Sequence, residues 1–181
     1  MHNQAKSVSL PCMKTDEKIL LNQNTNCCNL VYYDGTLQQF ASTLLANDRG
    51  DGSVCRICEI HPAIINDMIS KGRLLSSKEI IITQRQIFKY RNHPKSAKGA
   101  TVPLIDYAFI EKALQNPEHV YEDTVQNRLV YVCTHPYHKS KLVKVVVEPN
   151  HRGNGAIANV AKSWGIVNPE NMKGEQFRMI K

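Results

Sequence analysis

No stretch of this 181-residue chain approaches the roughly 20 consecutive apolar residues that carry a helix across a bilayer. A membrane-spanning helix is not expected, and no membrane partner. The start, Met1-His2-Asn3-Gln4, lacks a charged segment followed by an apolar one, so no secretory signal is legible and the expected place of action is the cytoplasm. Tryptophan occurs once, as Trp164, which either packs in the core or stacks on a base. Acidic residues are in the minority: 16 Asp and Glu face 23 Lys and Arg, a formal net charge of +7 with a pI near 9.1. Such a balance raises the rate of encounter with polyanions. A hydrophobic fraction of 42% with 22% charged residues excludes wholesale disorder, and the length suits one core with an appended segment.

Six cysteines without an export signal read as reduced and buried thiols. Cys55-Arg56-Ile57-Cys58 and the run from Cys133 through His135 to His138 carry ligand-like spacings for zinc. Residues 54–60 have the composition of a strand, however, where a spacing of three puts Cys55 and Cys58 on opposite faces. No metal and no cofactor are expected.

Along the chain, residues 1–28 are polar and without period, a flexible leader. Leu30 to Tyr33 read as a short strand. Leu37, Phe40, Ala41, Leu44 and Leu45 fall on one face of an amphipathic helix that Asn47 and Gly50 end. After the strand at 54–60, Pro62 suits a first helical turn, and Gly72 a left-handed stop. Ile80 to Ile82 make a short buried strand. Thr83 and Gln86 form a capping box for a helix bearing Ile87, Phe88 and Tyr90, which Asn92-His93-Pro94 stops. A basic loop at 95–101 leads to a helix at 106–115. Strands follow at 119–122, 128–134 and 141–148, joined by short polar turns. Helices first and strands after is an α+β arrangement, with N-terminal helices packed on an antiparallel meander sheet.

This order of pieces resembles the phage-borne branch of the barnase/EndoU/colicin/RelE-like nucleases, which are metal-independent RNases. The matching pieces are Ile82-Thr83 leading to Tyr90-Arg91-Asn92-His93-Pro94; Ala113 to Val120; the strands Leu129 to Val132 and Leu142 to Val147; and a closing segment from Asn154 to Lys162. The resemblance covers residues 78–167. It divides the chain into a leader (1–28), an N-terminal α/β extension (29–77), a nuclease-like core (78–167) and a C-terminal tail (168–181). Two positions depart from the pattern. Phe88-Lys89 stand where members often carry a helix histidine, and no hydroxyl residue follows the final-strand asparagine in Ala156-Ile157-Ala158-Asn159.

Cleaving RNA without a metal takes a base for the 2′-hydroxyl, an acid for the 5′-oxygen and cations for the charge on phosphorus. Imidazole, with an ordinary pKa near 6.5, serves both proton roles. His93, which matches the family motif, is the first candidate, with the alternative that it only ends its helix. His151 and Arg152 lie in an expected loop, a common place for function. Arg91 and Lys144 are expected charge clamps. Lys144 sits on the face of its strand opposite Val143, Val145 and Val147, either as a solvated charge or as an anion ligand. Lys95, Lys98, Arg152, Asn154, Asn159 and Ser163 are the expected substrate contacts, although the last three can equally hold the closing segment in place. His135, His138, Lys139 and Lys141 form a basic strand turn. The expectation is a metal-independent endoribonuclease of phage or toxin type with RNA as substrate. An immunity or host protein is a possible partner, and the host cytoplasm the site of action if phage-delivered. Two rivals are a nuclease-like module that binds nucleic acid or a host protein without cutting, and a zinc-stabilised interaction protein built on Cys55, Cys58, Cys133 and His135.

Overall fold

The computed structural model describes residues 30–91, 107–153 and 156–181. The first helix, α1 (Leu37–Asn47), starts where Thr36 and Gln39 cap each other reciprocally. The Gln39 amide donates to the Thr36 hydroxyl at 3.2 Å and the Thr36 amide to the Gln39 side chain at 2.9 Å, which satisfies two orphan donors. Strand β1 (Val54–Glu59) leads to α2 (Pro62–Ser70), whose first turn is capped by the His61 ring accepting from the Ala63 amide at 3.2 Å. Gly72, at φ +72°, supplies the expected left-handed stop. Strand β2 (Glu79–Thr83) runs into α3 (Gln84–Arg91), where the Thr83 hydroxyl donates to the Gln86 side chain. Helix α4 (Tyr107–Gln115) precedes β3 (His119–Asp123), β4 (Arg128–Thr134), β5 (Leu142–Gly153) and β6 (Ala156–Val167). A short 3-10 helix (Pro169–Met172) and β7 (Phe177–Met179) follow.

One seven-stranded sheet runs in the order β1-β2-β6-β5-β4-β3-β7. The meander expected from residue 119 onward holds, and α+β is the fold class. The β2–β6 pair is parallel, with Ile80 opposite Asn159 and Ile81 opposite Val160. Leu37 and Phe40 of α1, Ile64 and Met68 of α2, Ile87 of α3 and Ile110 of α4 pack with Ile80, Ile82, Val143, Val145 and Trp164 into one core. Each such wholly buried aliphatic side chain is worth about 1.5–3 kcal/mol over exposure. Trp164 is core: it stacks on Tyr90 at 4.3 Å between ring centroids. The opposite, outer face carries Val54, Ile81, Ala158 and Val160 at one end and Val130, Val132, Val146 and Met172 at the other.

Several boundaries differ from expectation. Residues 30–33 make only an isolated parallel bridge, Tyr32 to Val54. The strand expected to end at 148 continues to Gly153, and the closing segment is a twelve-residue strand. Residues on both sides of 77 and of 167 share one sheet and one core. In β1 a register shift between Arg56 and Cys58 aligns Cys55 with Ile82 and Cys58 with Ile80. Both thiols therefore pack toward the helix-side core, not on opposite faces as simple alternation predicts. Burial pushes Cys55 up to about 12 and Cys58 up to about 11, with Glu111 adding to each.

The C-terminal strand is held by charge. Glu122 on β3 accepts from Lys71 and Arg73 at 2.5 Å each and from Arg178 at 2.9 and 3.0 Å, while Asp67 pairs with Arg178 at 2.5 Å and with Lys71 at 3.1 Å. Burial opposes ionisation of Glu122, but the bonds from Lys71 and Arg178 outweigh it and hold the carboxyl below the usual glutamate range.

Candidate functional site

Glu148 and His151 are three apart, which on a regular strand would turn them to opposite faces. They share a face because β5 carries an extra residue between them: Glu148 pairs with Val160 while His151 pairs with Ala158. The bulge is built on Asn150, which adopts φ +51°, a conformation that asparagine tolerates better than most residues. Its side chain accepts from the Ser76 amide at 2.7 Å and donates to the Leu74 carbonyl at 2.6 Å. Its backbone amide donates to the Asn159 side chain at 3.1 Å. Asn159, wholly buried, also donates to the carbonyls of Ser77 and Glu79 at 2.7 and 3.0 Å.

The result is a line of charges on the outer sheet face. The His151 ring contacts the Glu148 carboxylate through Nδ1 at 3.0 Å and the Lys162 ammonium through Nε2 at 3.2 Å. An ammonium can only donate, so Nε2 accepts and Nδ1 carries the proton toward Glu148. Arg128 lies 3.5 Å from the other carboxylate oxygen. Burial works against a charged Glu148, but the hydrogen bond from the His151 ring and the charges of Lys162 and Arg128 keep its carboxyl below the ordinary range. Burial lowers Lys162, and the neighbouring Arg85, Arg128 and Lys89 add to this against the pull of Glu148.

His151 and Lys162 line a cleft of about 470 Å³ whose other wall comes from the start of α3 and the loop before β1: Arg85, Gln84, Asp51 and Ser53, with Phe88 beside them. The Gln84 amide donates to Ser53 at 3.1 Å and to Asp51. It reaches them past Gly50, where a Cβ would stand 1.9 Å from the Gln84 side-chain oxygen. The cleft therefore combines an imidazole with a fixed tautomer, two cations and an array of amides and hydroxyls.

Of the three expected catalytic residues that the structure describes, Arg91, Lys144 and His151, only His151 lines this cleft. Lys144 is on the same strand and the same face, but six paired positions away, about 20 Å at roughly 3.3 Å per residue. There it lies over the Phe177 ring at 5.5 Å. Arg91 pairs with Asp48, tying α3 to the end of α1. Arg152 follows His151 on the strand and is exposed on the alternate face. Ser163 stands opposite Val146 and hydrogen-bonds the Tyr90 hydroxyl, and Asn159 is committed to the bulge. His93, Lys95, Lys98 and Asn154 lie outside the described residues. The hairpin histidine His135 is buried, and its Nδ1 accepts from the amides of Tyr137 and His138 at 3.2 and 3.1 Å.

Sequence reasoning missed Glu148, Lys162 and Arg85. A Glu-x-x-His spacing on a strand signals nothing unless a bulge is known, although the asparagine at 150 is a residue type that permits one. Among the described residues no three His, Cys, Asp or Glu side chains are placed to hold a metal ion. The set Cys55, Cys58, Cys133 and His135 is not assembled as a zinc site. No helix among the described residues is long and apolar enough to cross a membrane. No family model, curated protein or solved structure matches the chain.

Proposed function

We propose that the His151 cleft binds RNA at a phosphodiester and cleaves it by attack of the 2′-hydroxyl, without a metal. One observation carries this reading: an imidazole oriented by a carboxylate and touching an ammonium, inside a cleft that also holds Arg85. An incoming phosphate draws Lys162 and Arg85 to its oxygens, which frees Nε2 of His151 to accept the 2′-hydroxyl proton. The 2′-oxygen then bonds phosphorus, the P–O5′ bond breaks, and the 5′-oxygen takes a proton from an acid, leaving a 2′,3′-cyclic phosphate. His93 is the candidate for that acid, on the resemblance to the phage-borne nuclease branch. The net positive charge favours the encounter.

Incubating the purified chain with mixed RNA in the presence of a chelator should yield fragments ending in cyclic phosphate. His151→Ala should lose about 10²–10⁴ of the rate, the usual contribution of a positioned proton carrier. RNA left intact at high protein concentration would sink the cleavage reading.

A second reading, a nuclease-like module that binds RNA without cutting, draws on Lys162 occupying the Nε2 position that catalysis needs and on the departure at Phe88-Lys89. Retention of RNA with a steep salt dependence and no cleavage selects it, because phosphate contacts release counterions.

A further inference from the structure

A second cavity, of about 480 Å³, opens on the helix side of the sheet, between the start of α2 and the end of α4. It is separate from the His151 cleft and shares no lining residue with it. Its volume lies within the roughly 300–1,000 Å³ of small-molecule sites. Ile60, Ile65, Leu114 and Pro117 give it apolar walls, and the Tyr131 ring lines it from β4. Tyr131 is 2% exposed, yet its hydroxyl has no hydrogen-bond partner among the described residues. A buried hydroxyl left unmatched is costly, and such groups call for an explanation. Burial, with the Cys58 thiol nearby, pushes this phenol far above its ordinary range. It is therefore a neutral group at any physiological pH, able both to donate and to accept.

The cavity lining also carries charge: the side chains of Lys78 and Lys181 and one side-chain carboxylate, Glu59. His61 also lines it, but its Nδ1 is occupied by the Ala63 amide, and the Gln115 amide is occupied by the Ile57 carbonyl and the Glu111 carboxylate. Two cationic side chains and one side-chain carboxylate, apolar walls and a neutral phenol among the lining residues define a ligand by complementarity. We propose that this cavity binds a small carboxylate with an apolar body and a neutral hydroxyl or carbonyl tip. The tip bonds Tyr131, the body fills the space among Ile60, Ile65 and Leu114, and the carboxylate meets Lys78. A free hydrogen-bonding tip matters because a buried polar group discriminates strongly against analogues that leave it unpaired.

The probe is 3-(4-hydroxyphenyl)propionate, titrated into the full chain with the methyl resonances of Ile60, Ile65 and Leu114 as the readout. Binding should shift these resonances. Tyr131→Phe should weaken it about three- to tenfold, the range of one hydrogen bond, and Lys78→Met should weaken it several-fold. The ring-only analogue 3-phenylpropionate should bind the parent chain about as weakly as the hydroxylated probe binds Tyr131→Phe. Without ligand, Tyr131→Phe should be as stable as the parent chain or melt higher, because it removes an unmatched group. Methyl resonances unmoved at roughly 10 mM probe, well above a millimolar dissociation constant, would overturn the proposal. So would equal affinity of the parent chain and Tyr131→Phe, or a lower melting temperature of that variant without ligand, since the hydroxyl then already has a partner in protein or solvent. RNA cleavage should be unaffected by either substitution.

Discussion

An ammonium 3.2 Å from an imidazole nitrogen is tolerable only when that nitrogen carries no proton, so Lys162 and Glu148 together decide how the His151 ring is protonated. Removing either should have a distinct effect. If the cleft cleaves RNA as proposed, Lys162→Met takes away a cation for the phosphate and should reduce the rate about 10²–10³-fold, as loss of one such donor typically does. Lys162→Arg should recover part of it. Burial and the neighbouring Arg85, Arg128 and Lys89 hold Lys162 below the ordinary lysine value of 10.5, so its charge is lost earlier than that of a solvated lysine as pH rises. The alkaline fall in cleavage should therefore begin below 10.5, and in Lys162→Arg it should move upward. A rate profile over pH for both proteins decides it, and an alkaline limb unchanged by the substitution would remove Lys162 from the chemistry.

At the scale of elements, the helices were legible and the irregular strands were not. In α1 the apolar residues recur at the helical period and Thr36 with Gln39 close its first turn, so sequence pattern and local hydrogen bonding agree. The β-bulge in β5 has no such pattern, because Asn150 takes its left-handed conformation from bonds to Leu74 and Ser76, 76 and 74 positions away, and to Asn159 on the neighbouring strand. For the same reason the sequence points to a loop at His151, which lies on the β5–β6 ladder instead. Asn150→Ala removes two side-chain hydrogen bonds and puts a less tolerant residue at φ +51°. It should cost about 3–5 kcal/mol, from roughly 1–3 for the strained backbone and about 1 for each of the two bonds, as read by denaturant unfolding. Asn150→Gly, which accepts the angle but not the bonds, should cost less. Equal losses in the two would show that the angle carries no strain. Strand β7 was illegible too: its three residues follow no alternation that a short window reveals, and Arg178 holds them through Glu122 and Asp67. Glu122 is depressed in the folded chain, so its stabilising contribution is complete above its ordinary value of 4.5 and is lost as pH falls through the lower folded value. Glu122→Gln should destabilise the neutral protein by about 2–3 kcal/mol, below the usual 3–5 for a broken buried pair because Lys71 and Arg178 are partly solvated. The variant should also flatten the acid limb of stability, and a parallel limb in both proteins would assign acid sensitivity elsewhere.

For the whole molecule, residues 78–167, which the resemblance singles out, share their sheet and core with residues on either side. Without residues 30–77 the sheet loses β1, the edge of β2 is laid open, and the core loses Leu37, Phe40, Ile64 and Met68. A fragment of 78–167 should fail to unfold cooperatively, whereas residues 30–181 should do so; a sharp transition in the fragment, by circular dichroism, would restore the smaller unit. The order of the strands has a further consequence during synthesis. The parallel partner of Ile80 is Asn159, which leaves the ribosome 79 residues later, the difference of the two positions. At about 5–20 residues per second, the Ile80-Ile81-Ile82 edge waits roughly 4–16 s for its neighbour. For that interval the nascent chain presents three consecutive isoleucines and an unpaired row of amides, a feature that invites aggregating neighbours and chaperones alike.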